Sequence, residues 1–188
     1  MGDFMDLMPF DELNRLEAAL PEYMNREIKT KEDLDSLLDM LEDLFLLAYA
    51  DGVQSANLSL GTDISADLSD VKNTVDKEVA GETWRERVED YYSNGGSVAD
   101  IVRIAETETH RDYNEAALNT AKRAGAKSKM WVTMLDDRVR ETHDYLESMT
   151  VPIDSRFYTY DGDSAQAPGG FGLAENNINC RCTLVFSR

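Results

Sequence analysis

Residues Thr30 to Ala50 read TKEDLDSLLDMLEDLFLLAYA, and their spacing predicts one long amphipathic helix. Leu34, Leu37, Leu38, Leu41, Leu44, Phe45 and Ala48 recur at helical intervals and form a single apolar stripe. Glu32, Asp35, Asp39 and Asp43 lie on the other side. Thr30 followed by Asp33 is a variant of the capping box, in which hydroxyl and carboxylate each answer the other residue's backbone N–H. Gly52 is placed to end the helix, because glycine accepts the left-handed geometry of a C-cap. A stripe of this length must be covered by other helices, so this part of the chain is expected to be a helical bundle.

Working outward, Leu13, Leu16, Leu20 and Met24 predict an earlier helix that Pro21 divides. On the other side, Ala56 to Ile64 loses the period and reads as a linker. Patterning resumes with Leu68, Val71, Val75 and Val79, and again with Trp84, Val88 and Tyr91. Ser93-Asn94-Gly95-Gly96 breaks the chain, and Ser97 is the expected cap of a helix through Val98, Ile101, Ile104 and Ala105 that Gly125 stops.

The character changes after Lys127. Met130 to Met134 is β-branched and aromatic and predicts a strand, and Asp136 to Leu146 a helix with a charged face. Thr150–Ile153, Phe157–Tyr160 and Thr183–Phe186 are short strand candidates. Asp161 to Asn179, rich in Gly, Ala, Asn and Ser, reads as a long surface loop. The expected fold is α+β and predominantly helical: a helical N-terminal region over 1–96, then a small α+β module with short strands over 97–188.

Charge narrows the function. The 188 residues carry 37 acidic and 19 basic side chains, a formal charge of −18, with 42% hydrophobic residues. That is enough apolar surface for a core. A chain this negative gains no counterion-release affinity for phosphates, so direct nucleic-acid binding and a polybasic membrane role are both excluded. Met1 to Phe10 has no basic residue, unlike a signal peptide, and no apolar run is long enough to span a bilayer. These features predict a soluble protein of the cell interior.

Cys180 and Cys182 are the two cysteines and are too close in sequence to close a long loop as a disulfide framework. With His143 they could supply three ligands of a tetrahedral zinc, a carboxylate or His110 being the fourth. Structural sites usually use CxxC knuckles, and the reading favoured from sequence is different. It has both cysteines packed as small buried residues, with His143 hydrogen-bonded to a backbone carbonyl, and no cofactor. Asp136, Arg138, Arg140 and Glu108 admit a cleft of the kind used in phosphotransfer. They also admit an Arg–carboxylate lattice that fixes a small module, which is favoured because no nucleophile–base pair accompanies them. Asp136, Arg140 and His143 are spaced to share one helix face. Trp131 and Phe157 are expected core aromatics. Gly169-Gly170-Phe171-Gly172 neither follows a clear strand nor opens a helix, so it is not read as a nucleotide site.

Taken in order, several pieces resemble the phage Mu F-like, or head morphogenesis, family of minor capsid proteins. They are Trp131-Val132-Thr133, then Asp136 through Arg138 and Arg140 to His143, then Phe157 and Pro168-Gly169, and lastly Asn176 to Cys182 with its Asn179-Cys180-Arg181-Cys182 end. Thr107, Glu108 and Asn114 match the family's positions on the preceding helix. Where many relatives carry Arg before the Thr-Glu pair, this chain has Glu106. The resemblance implies a non-enzymatic virion protein at the portal vertex, made in the infected bacterial cytoplasm. Its partners would be the portal protein and other capsid or scaffold proteins, in procapsid assembly, packaging or ejection. Two other readings stay beside it: a small hydrolase or transferase using Glu108, Arg140 and His143, and an acidic DNA-mimic inhibitor.

Overall fold

The computed structural model describes residues 30–79, 81–96 and 98–188. The predicted helix on Leu13, Leu16, Leu20 and Met24 and the Ser97 cap lie outside the described residues. Among these residues no helix is long and apolar enough to cross a membrane.

The first described helix, α1 (Lys31–Leu60), begins as the sequence predicts. Thr30 Oγ1 accepts from the Asp33 N–H at 3.1 Å, and Asp33 Oδ2 accepts from the Thr30 N–H at 3.0 Å. Its end differs from the expectation. Residues Ala56 to Leu60 are helical rather than linker, because Gly52, Val53 and Ala56 keep the buried face going. Gly61, with φ of 62°, is the C-cap in place of Gly52. The Asn57 side chain fixes the exit by accepting from Thr62 Oγ1 and the Ile64 N–H, both at 2.8 Å.

Three helices follow: α2 (Leu68–Val75), α3 (Trp84–Ser93) and α4 (Val98–Arg123). Leu37 to Phe45 of α1 share a core with Val75, Trp84, Val88, Ile101, Ile104 and Ala105. Phe45 meets Trp84 edge-on at 4.9 Å. Farther along, Ala56 lies in one cluster with Ala117, Leu118 and Ala121. Early residues therefore meet early residues, and α1 and α4 run side by side in the same direction. Gly52 makes that approach close: a Cβ there would overlap the Tyr113 carbonyl oxygen and come within 2.9 Å of the Ala116 Cβ. Its role is helix contact, where the sequence suggested a cap.

The C-terminal part contains β1 (Ser128–Val132), α5 (Glu141–Asp144), β2 (Thr150–Pro152), β3 (Phe157–Tyr158), β4 (Ser164–Ala165), α6 (Ala174–Asn177) and β5 (Thr183–Ser187). The main sheet is antiparallel in the order β2-β1-β5, with Trp131 opposite Leu184 and Lys129 opposite Phe186. β3 and β4 pair as a separate ribbon, Phe157 opposite Ala165. Two expectations are corrected. The helix over Asp136–Leu146 shrinks to one turn, because the Asp136 carboxylate accepts the Arg138 N–H and starts a turn instead. Asp161–Asn179 is no surface loop: Ala165, Ala167, Phe171 and Asn176 are buried, and the stretch contains β4 and α6.

Candidate functional site

The family-motif residues converge where α4, β1, α5 and the approach to β5 meet. Trp131 is fully buried at the centre of the sheet, and the His143 ring stands edge-on to it at 5.4 Å. Phe157 meets the same indole at 5.1 Å, and Phe171 stacks on His143 at 5.3 Å. Phe171 thus roofs the group with a residue that composition alone assigned to solvent.

Cys180 and Cys182 complete this cluster, and both are buried and free. His143 Nδ1 lies 3.6 Å from Cys180 Sγ and 3.4 Å from Cys182 Sγ. The expected backbone carbonyl is not its partner; the two sulfurs take that place, and Nε2 has no partner among the described residues. One ligand atom from each of these three residues falls within 4.8 Å of the others, the spacing a metal ion would need. Hydrogen bonding from Cys182, then from His110 and His143, holds the Cys180 thiol well below its ordinary range, against the burial that opposes it. The same contact with Cys180, together with burial, pushes the Cys182 thiol up.

Local geometry explains how the cysteines arrive. Asn179 is exposed in the left-handed region at φ 56°, a conformation asparagine tolerates better than most residues. Asn114, fully buried on α4, donates to the Cys182 carbonyl at 3.2 Å and to the His110 carbonyl at 3.0 Å. Arg181, between the cysteines, makes a two-pronged pair with Asp136 at 2.6 and 2.8 Å. That pairing holds the Asp136 carboxyl down at about 2. Arg140 donates to the carbonyls of Glu175 and Ile178, tying α5 to the segment before the cysteines.

The remaining predicted residues fall elsewhere. Asp136, Arg140 and His143 do not share a helix face, since Asp136 precedes the turn and Arg140 is the N-cap of α5. Arg138 is largely exposed, with Asp136 3.7 Å away. Thr107 bonds back to the Arg103 carbonyl within α4. Glu108 is buried and holds Arg87 at 2.6 Å together with Arg111. Its arginines therefore come from α3 and from one turn along α4. Arg111 also pairs with Asp112 at 2.9 Å, and burial pushes the Asp112 carboxyl up to about 8. Gly169 explains the Pro-Gly of the motif: it has φ of 83°, and a Cβ there would stand 2.9 Å from the Arg111 Cα.

Sequence reasoning missed Arg87, Arg111, Asp112, Asp163 and Phe171. Asp163 accepts from Ser164, Gly172 and Leu173 N–H groups and from the Asn176 amide, and so shapes the roof. Its only signal was an Asp among small residues, which looks like any turn.

A family described as Phage Mu protein F like protein matches residues 67–185, more than half of the chain. The chain is 36% identical over 93 residues to NAD(+)--arginine ADP-ribosyltransferase EFV of Enterococcus faecalis, covering 47% of this chain and 19% of that protein. It is 33% identical over 93 residues to Minor head protein GP7 of Bacillus phage SPP1, covering 48% of this chain and 30% of that protein. Both matches thus span less than a third of the relative's length. No solved structure matches significantly. The matched span contains the aromatic centre, the Arg–carboxylate pairs and the Cys/His cluster just described, and the chain belongs to the phage Mu protein F like family.

Proposed function

We propose that this chain is a minor head protein, a non-enzymatic component of a phage or prophage particle that acts in head morphogenesis. The observation that carries the reading is its 33% identity over 93 residues to Minor head protein GP7, beside a family match over residues 67–185. The relation to an ADP-ribosyltransferase extends over 19% of that enzyme, too little to bring its activity with it. The site chemistry supports the same side. Glu108 is committed to Arg87 and Arg111, while Arg140 is committed to two backbone carbonyls and His143 is buried against Trp131. The groups a Glu/Arg/His enzyme would use have separate partners and structural work to do.

The finer reading places the protein at the portal vertex, among capsid and scaffold proteins. Residues 1–96 would supply the assembly interface and 97–188 the compact module. The exposed acidic face of α1, with Asp35, Asp39 and Asp43, suits a basic patch on a partner. Co-expression with portal, scaffold and major capsid proteins tests it. Retention by immobilised portal and recovery in purified heads are expected; absence from both would overturn the reading.

A further inference from the structure

The geometry points to a structural zinc site in which His143, Cys180 and Cys182 bind the ion and His110 closes the fourth position. Ideal tetrahedral zinc, with Zn–S about 2.3 Å and Zn–N about 2.0–2.1 Å, sets sulfur and nitrogen about 3.6 Å apart. The two observed separations from His143 Nδ1 are 3.6 and 3.4 Å. A hydrogen-bonded thiol would explain one such distance. A tetrahedral ion accounts for both distances at once. The tautomer with its proton on Nε2 turns the Nδ1 lone pair toward both sulfurs, which is the form a metal ligand takes.

The surroundings are suited to an ion. The donors come from α5 and from the segment entering β5, and Asn114 anchors that segment to α4 through the Cys182 carbonyl. His110 lies one turn before Asn114, whose amide nitrogen is 3.1 Å from His110 Nε2 and 3.2 Å from the Cys182 carbonyl oxygen, which puts this imidazole beside the cysteine segment. It stands outside the tight triangle of the other three donors, so its ring must move inward to complete the tetrahedron. A crevice lined by Met134, Val139, Arg140 and Arg181 leads to the sulfurs and gives a route from solvent. Binding releases both thiol protons to solvent, and the two thiolates and two imidazoles leave the zinc site neutral. The ion would then staple α4, α5 and the start of β5 together.

The test uses the full chain, purified without added metal. Stoichiometric zinc is expected, with thiolate-to-cobalt charge transfer and tetrahedral d–d bands after exchange for cobalt(II). Chelation of the wild-type protein should lower its melting temperature, and zinc should restore it; this arm does not depend on any variant folding. Cys180→Ser/Cys182→Ser should lose both the metal and the charge-transfer band. His110→Ala should keep the band but bind zinc at least tenfold more weakly; an unchanged affinity would overturn the role of His110. The whole site is overturned if zinc neither copurifies nor raises the melting temperature, or if mass spectrometry shows Cys180 and Cys182 joined as a disulfide.

Discussion

Gly52 of α1 rests directly against the carbonyl of Tyr113 in α4, with no room for a side chain between the two helices. The contact sits between two clusters, one built on Trp84 and the other on Trp131. Substitution Gly52→Ala would force α1 away from α4. It is expected to cost about 1–3 kcal/mol despite alanine's better helix propensity, as overpacked cores do. Urea unfolding measures it, and an unchanged or raised midpoint would mean that the helices yield easily here.

Lys129 lies fully buried in β1, its ammonium 5.6 Å from the Phe157 ring and without a hydrogen-bond partner among the described residues. Burial pulls its pKa down from 10.5 to about 8. The unfolded chain then holds more protons between those values, so stability rises with pH across that window. Below it, the full penalty of a buried cation is present. Lys129→Met keeps the packing stem and is expected to add roughly 1–3 kcal/mol at neutral pH. It should also abolish the alkaline rise. Thermal melts from pH 7 to pH 10 show both effects, and a parallel pH profile in the variant would exclude Lys129 as the source.

Glu108 and Asp112 flank Arg111 but are expected to respond differently. Glu108→Gln leaves Arg87 and Arg111 without their common carboxylate and should cost about 3–5 kcal/mol, as when one partner of a buried pair is removed. Asp112 has its pKa raised from 3.8 to about 8 by burial, so the folded state holds the proton more tightly. Its stabilising effect is full below the unfolded value and is lost as pH rises through about 8. Asp112→Asn keeps an acceptor for Arg111 and should flatten that decline. Equal losses for the two variants at neutral pH would contradict this division.

The Asp136–Arg181 pair holds the segment between the cysteines from outside. Its contribution is present above the unfolded Asp pKa of 3.8 and is lost as pH falls through about 2. Both groups are partly exposed, so Asp136→Asn should barely change the melting temperature. Amide exchange at residues 180–183 should nevertheless accelerate. Unchanged exchange there would show that Asn114 alone suffices to hold the segment.

Local sequence determined where α1 starts, where α4 stops, and the family. The α1 stripe, the Thr30–Asp33 cap and the stop at Gly125 are near-neighbour effects, which spacing and residue type specify on their own. The ordered motif from Trp131 to Cys182 was equally legible. Tertiary structure decided what the motif residues touch. Gly52 looks like a cap until α4 lies against it, and Phe171 looks like loop until it stacks on His143. The Arg partners of Glu108 come from α3 and α4, and two sulfurs reach one imidazole nitrogen from 37 and 39 residues away. No periodicity encodes such contacts, because they depend on how separate elements pack, and packing is settled by the whole core at once.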